Sequence, residues 1–279
     1  MQTPVHAAPV RIDSHAHIFA AGLALAPGHR HAPETDARLS DYLRLLDAHD
    51  ITHAVLTAPS FLGTDNSFLI AGLEAAQGRL RGTVIVEPGI GRPALEALRR
   101  RYVCGIRLNF FRRADSDVPD LCSSEYRALF ETCAALDLHV EIYGEGPRLA
   151  RWLPQIMQTG VRVVVDHFGS PDPAAGVNCA GFLTVLDAFA TGRVWVKLSA
   201  PYRVGAALAQ ACADRLLEAA GPQRLVWGSD WPWTQNEAGR SYAQCLAWLE
   251  EWVPDAQARD TILGTTPHAL FHFTPRAAS

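Results

Sequence analysis

VRIDSHAHIF (residues 10–19) is a short apolar run that ends in two histidines separated by one residue. On a strand, residues two apart share a face, so His15 and His17 are expected to enter the same space. Seven similar runs follow it. They are THAVLTAP (52–59), GTVIVEP (82–88), CGIRLNF (104–110), LHVEIYG (138–144), VRVVVDHFG (161–169), VWVKLSAPY (194–202) and RLVWGSDWPW (224–233). Their nearly continuous apolar character suits parallel strands covered on both faces.

The stretches between the runs carry helical periodicity. Ser40 stands where a cap would precede Leu43 and Leu46, and Pro93 stands where a first-turn proline belongs, ahead of Leu95 and Leu98. Tyr126, Leu129, Phe130 and Cys133 form an i, i+3, i+4, i+7 stripe, and Tyr242, Cys245, Leu246 and Leu249 form another. Pro154 is expected to kink or shorten the helix after the fifth strand. Eight strand–helix units without a linker predict a closed (β/α)₈ (TIM) barrel, one α/β domain spanning residues 1–279. An open doubly wound sheet is the alternative, but no phosphate-binding glycine fingerprint follows the first strand.

Composition narrows the function. A net charge of −4 offers no basic stripe for nucleic acid. No run reaches the ~18 apolar residues of a membrane span. The start, MQTPVHAAPVR, lacks the pattern of a secretion signal, so a cytoplasmic protein is expected. The six cysteines are scattered without paired spacing and read as small core residues. Basic charge is almost all arginine, Lys197 being the one lysine among 25 basic residues.

In barrels of this kind chemistry gathers at the C-terminal strand ends. Those ends supply His15 and His17 (first strand), Arg107 (fourth), Tyr143 (fifth, with His139 and Glu141 at the same parity), and Asp166 and His167 (sixth). The seventh strand adds Lys197 and Ser199, with Tyr202 and Arg203 in its loop, and the eighth ends at Asp230. Any one has a structural explanation, such as a hydrogen-bonded core histidine or an Asp that caps a turn. Four ionisable groups from the first, sixth and eighth strands converging on one cavity point to a reaction centre. Glu141 is expected to neutralise Lys197 inside the barrel, and Trp231 and Trp233 to pack rather than wall the cavity.

HAH (15–17), DHFG (166–169), KLSAPYR (197–203) and GSDWPW (228–233), in this order, resemble the amidohydrolase superfamily. More narrowly, they resemble its branch of 2-pyrone-4,6-dicarboxylate lactonase, sugar-acid lactonases and galactarolactone isomerase. The resemblance implies His15, His17, His167 and Asp230 as catalytic residues. It implies Arg107, Arg113 and Arg203 as grips for substrate carboxylates, with Ser60 and Tyr143 as further contacts; whether Arg112 or Arg113 faces the pocket stays open. Arginine forks suit carboxylates because they make two-point contacts and stay charged in a closed pocket.

A binuclear metal centre is not expected, since Lys197 is off the bridging position and the fifth strand ends in Tyr143 rather than histidine. No cofactor is expected to be required. The alternative is one divalent ion such as zinc on His15, His17 and Asp230, with His167 as a further ligand. The expected substrate is a small carboxylated lactone. Asp230 would act as base toward water, and the histidines, at least one of them protonated by proximity to Asp230, would polarise the carbonyl. The rival functions are a metal-dependent amidohydrolase or decarboxylase, a sugar-acid lactonase or galactarolactone-type isomerase, and a non-catalytic binder of organic acids. Specificity is assigned to loops such as 20–38 and 110–122; loop 20–38, which carries His29, Arg30 and His31, would either fold over the mouth as a lid or stay mobile.

Overall fold

The computed structural model describes residues 9–273. Most of the stretch read above for a secretion signal therefore lies outside the described residues. Each apolar run overlaps a strand, although the third strand starts two residues before its run and ends at Val84: β1 (Ile12–Ala16), β2 (His53–Thr57), β3 (Leu80–Val84), β4 (Val103–Asn109), β5 (His139–Tyr143), β6 (Arg162–Val165), β7 (Val194–Leu198) and β8 (Leu225–Trp227). They pair in chain order and every pair is parallel. The ring closes just beyond β8, where the Asp230 N–H donates to the His15 carbonyl at 2.9 Å and the His17 N–H to the Trp231 carbonyl at 2.8 Å. The architecture is the (β/α)₈ barrel expected from the sequence.

The helices are α1 (Leu39–Ala48), α2 (Ser67–Ala75), α3 (Arg92–Arg100), α4 (Ser124–Ala135), α5 (Gly146–Met157), α6 (Ala180–Ala188), α7 (Pro201–Val204), α8 (Ala206–Ala220), α9 (Tyr242–Trp252), α10 (Ala256–Asp260) and α11 (Thr266–Leu270). The stripe on α4 behaves as read: Leu129, Phe130 and Cys133 are buried, and the Ser123 hydroxyl caps the first turn by accepting from Tyr126 N–H. One local expectation needs correction. Ser40 lies inside α1, whose N-cap is Arg38 with no side-chain cap bond. Pro154 lies inside α5, which runs on for one further turn to Met157, so the missing N–H removes one backbone bond to the preceding turn.

Inside the ring the side chains are stacked by polarity. Ile12, Val55, Cys104, Val164, Trp195 and Val226 form an apolar floor with Leu270, Phe271 and Phe273 from the C-terminal segment. Above it, Arg107, Glu141, Asp166 and Lys197 form a buried charged layer. The histidines and Asp230 sit at the top. Charges in such a dry interior are tolerable only when paired, so the middle layer must be read as one network.

Two register shifts set this arrangement. β1 carries one extra residue between Asp13 and Ala16 relative to β2, and β4 one between Val103 and Gly105 relative to β3. A bulge of this kind re-aims the side chains that follow it. Ile12 therefore joins the floor and Asp13 turns outward to the helices, yet His15 and His17 still face inward. Asp13 Oδ2 accepts from the hydroxyls of Tyr42 (2.9 Å) on α1 and Tyr242 (2.8 Å) on α9. Its Oδ1 accepts from the backbone N–H of His15 (3.1 Å) and Ser229 (2.9 Å). One carboxylate thus ties the end of β1 to that of β8.

Candidate active site

The mouth of the barrel holds a cavity of about 520 Å³, within the usual range for a small-molecule site. His17, His167, Asp230, Ser60, Tyr143, Arg107 and Arg203 all line it, and His15 lies just beneath. Two glycines make the room. A Cβ on Gly228 would stand 2.5 Å from the His15 Cβ, and one on Gly105 would stand 2.4 Å from the His139 ring.

Asp230 is the hub. It sits at φ 57°, in the left-handed region that Asp tolerates better than most residues, and this turn aims its carboxylate inward. Oδ2 accepts from the Tyr202 hydroxyl (2.6 Å) and from Arg203 Nε (3.0 Å), with an Arg203 terminal nitrogen at 2.9 Å. Oδ1 is buried without a hydrogen-bond partner and faces Nε2 of His15 (3.4 Å), His17 (3.5 Å) and His167 (3.9 Å). Burial alone would raise the carboxyl pKa, but the Arg203 cation and the histidines outweigh it and hold the group well below the ordinary carboxylate range.

The histidines are organised by their second nitrogens. His17 Nδ1 lies 2.7 Å from the Thr57 carbonyl, so that nitrogen carries the proton and Nε2 is bare. His167 Nδ1 meets the Ser199 hydroxyl at 2.8 Å. His15 Nδ1 lies 2.8 Å from Lys197 Nζ, and its Nε2 is 3.2 Å from that of His17. Burial pushes all three pKa values down, to about 4 for His167. The expectation of a protonated imidazole is thus corrected, because the loss of solvation exceeds the attraction of Asp230.

The charged layer below is continuous with this set. Lys197 Nζ donates to Glu141 Oε2 at 2.6 Å and stands 3.1 Å from Asp166 Oδ1. Arg107 pairs with Glu141 (3.2 Å) and Asp166 (3.3 Å) and donates to the Ala58 carbonyl at 2.8 Å. Burial and the neighbouring Asp166 push Glu141 up. Burial would raise Asp166 as well, but Lys197 and His15 hold it well below its ordinary value. The ion pair anticipated between Glu141 and Lys197 is present.

The arginines divide differently from the sequence reading. Arg107 and Arg203 reach the cavity but are already engaged with acidic side chains. Arg113 does not line this cavity; it borders the adjoining groove with Tyr126 and lies over the Phe110 ring. Arg112 lines the cavity instead. Arg112 itself sits at φ 56°, in the left-handed region. Loop 20–38 folds over the mouth: Phe19 and Ala37 bridge its ends, Arg30 donates to the Phe111 carbonyl, and Arg30 and His31 line the cavity. Tyr143 stacks on Phe111 (4.5 Å) and meets His167 edge-on (4.7 Å), while its buried hydroxyl has no partner. Trp231 packs on Tyr42 as expected, away from the cavity.

Sequence reasoning missed the role of Tyr202 as a donor to Asp230 and of Asp13 as the tie between strand ends. The first was visible only as a tyrosine beside Arg203. The second was hidden because simple alternation puts Asp13 on the same side as His15.

Comparison with known proteins agrees with this geometry. A Pseudomonas putida structure solved as a candidate 2-pyrone-4,6-dicarboxylic acid hydrolase is 38% identical, covering 96% of this chain and 99% of that one, with a TM-score of 0.88. A 2-pyrone-4,6-dicarboxylate hydrolase of Comamonas testosteroni is 29% identical over 79% of this chain and 76% of its own length. A 4-sulfomuconolactone hydrolase of Rhizobium radiobacter is 29% identical over 93% of this chain and 89% of its own. An amidohydrolase from Burkholderia multivorans with bound zinc shares the fold, at 21% identity, 94% and 99% coverage and a TM-score of 0.75. The family model described as amidohydrolase matches residues 12–273, and with eight parallel strands delivering its histidines and aspartate to one mouth, this chain belongs to the amidohydrolase family.

Proposed function

We propose that this chain is a cytoplasmic, single-domain hydrolase, spanning residues 1–279, that opens the ring of a small lactone bearing at least one carboxylate. One observation carries the reading: the unpaired, ionised Oδ1 of Asp230 faces three imidazoles in a cavity walled by arginines. Asp230 Oδ1 accepts a proton as water adds to the lactone carbonyl. The neutral His167 Nε2–H and the free Tyr143 hydroxyl donate to the developing oxyanion. The tetrahedral adduct then expels the ring oxygen, which takes up the proton held by Asp230, and the new carboxylic acid releases its proton to solvent, leaving one new carboxylate. Arg112 and Arg30 at the rim meet the substrate's own carboxylate, with Arg107, Arg203 and Ser60 deeper in the cavity. The names of the similar lactone hydrolases support this substrate class.

A divalent ion was the alternative cofactor. The nearest ligand atoms of His15, His17 and Asp230 stand within 4.8 Å of one another, a spacing one ion would accept. The donor chemistry does not fit. A metal-bound histidine donates its other N–H to a carboxylate or carbonyl. His17 does so toward Thr57, but His15 turns its other nitrogen to the Lys197 ammonium, which has no lone pair to accept. In our reading no metal is required.

The test is a lactone panel covering pyrone dicarboxylate, muconolactones and aldarolactones, run with and without chelator and followed by NMR of the products. Asp230→Asn should lower kcat by about 10²–10⁴ with an unchanged fold. Wild-type turnover in that variant would remove Asp230 as the base, and a shifted rather than opened ring would replace hydrolysis with isomerisation.

A further inference from the structure

The buried charged layer contains a cation that the reaction above does not use. Lys197 is fully buried and is the chain's only lysine, although arginine serves everywhere else. Its Nζ stands 2.6 Å from Glu141 Oε2, 2.8 Å from His15 Nδ1 and 3.1 Å from Asp166 Oδ1. An ammonium has three N–H donors and no acceptor; here it bonds Glu141 Oε2 and His15 Nδ1, with Asp166 Oδ1 beside it as an ion-pair partner. The compact ammonium, unlike a planar guanidinium, can point single donors in three separate directions.

We infer that Lys197 is a positioning residue which fixes His15 as the Nε2–H tautomer and so shuts the HxH pair against divalent metal. With Lys197 donating to Nδ1, the His15 proton resides on Nε2. That N–H faces His17 Nε2 at 3.2 Å and Asp230 Oδ1 at 3.4 Å. The chain of donors then runs one way, from Lys197 to His15 to His17 to the Thr57 carbonyl, and each imidazole stays neutral. The rival acceptor for a His15 Nδ1 proton is Asp166 Oδ1, which at 3.4 Å is the more distant partner. A ring nitrogen that carries a proton cannot ligate a cation, so the HxH pair offers a cation one ligand nitrogen instead of two. The fixed ammonium supplies positive charge beneath the reaction centre where a metal ion would otherwise have supplied it.

This inference rests on the metal-free reading of the site but can fail separately from it. Activity of chelated enzyme tests that reading; the proton position on His15 tests this one. Histidine-¹⁵N-labelled wild-type protein and a His15→Asn reference, compared by long-range ¹H–¹⁵N correlation, should show His15 protonated at Nε2. Equilibrium dialysis against Zn²⁺ should leave wild type with well under one tightly held ion per chain. Lys197→Met should gain about one, and a second substitution, His17→Asn, should abolish the gain. If Lys197→Met does not fold, Lys197→Met/Glu141→Gln removes one charge of each sign and replaces it in the dialysis. A His15 proton on Nδ1, stoichiometric zinc on wild type that disappears in His15→Asn, or no gain of zinc in a folded Lys197 variant would each overturn the assignment.

Discussion

Replacing Arg203 by methionine should convert Asp230 from a permanently ionised carboxylate into one that titrates within the working pH range. Arg203 places two nitrogens at 2.9 and 3.0 Å from Oδ2 of a carboxylate that is 1% exposed. Breaking a buried ion pair by removing one partner costs about 3–5 kcal/mol. The Asp230 carboxyl pKa therefore moves up, since burial is then opposed only by the histidines and the Tyr202 hydroxyl. In wild type the depressed value contributes stability above the ordinary carboxylate range, lost only in strong acid. In the variant the native carboxyl is harder to ionise than in wild type. The stability deficit should therefore grow as pH rises through the variant's carboxyl pKa and level off above it, reaching about 3–5 kcal/mol. The assay is urea unfolding at pH 5, 6, 7 and 8, together with kcat/KM profiles on a carboxylated lactone. The acid limb of the profile should move up with it, whatever the variant does to KM. A deficit independent of pH, with an unmoved acid limb, would show that Arg203 does not control Asp230.

Arg112→Gln should raise KM for a dicarboxylate lactone several-fold more than for a neutral one, and Arg113→Gln should change neither; the reverse pattern in steady-state kinetics would return Arg113 to the cavity. Gly228→Ala should displace the His15 ring, cost about 1–3 kcal/mol by overpacking and lower kcat, as read by unfolding and turnover in the same preparation. His167, buried neutral with a pKa of about 4 against 6.5 when unfolded, contributes stability that is fully present above pH 6.5 and is lost as pH falls toward 4. That loss is about 3 kcal/mol, and His167→Asn should show correspondingly less loss on acidification. A variant with the same acid sensitivity as wild type would mean that His167 titrates normally.

The eight strands were legible because parallel barrel strands are apolar on both faces and leave uninterrupted runs in the sequence. Strand-end chemistry was legible for the same reason: a polar residue closing such a run stands out, as His15, His17, His167 and Asp230 do. Parity worked on β5, where His139, Glu141 and Tyr143 share the inner face, because that strand pairs in even register with its neighbours. It misled at Asp13, because an extra residue in β1 leaves no mark in the residue pattern. The choice between Arg112 and Arg113 stayed open because it depends on how the loop turns at Arg112, a left-handed residue. The balance between burial and attraction at the histidines was equally out of reach, since it depends on how many atoms surround each ring. Pairing of Arg107 and Arg203 with acids lay beyond the sequence too, because their partners come from other strands.

The extra residue in β1 has a practical meaning for anyone who would transplant this chemistry. The HAH tripeptide by itself is not portable: grafted onto a barrel strand of even register, its imidazoles would land among the outer helices whenever the residues beneath them keep their places. The transferable unit is longer, running from Ile12 through His17 with its one-residue surplus, and it needs a carboxylate where Asp13 stands to hold the kink shut.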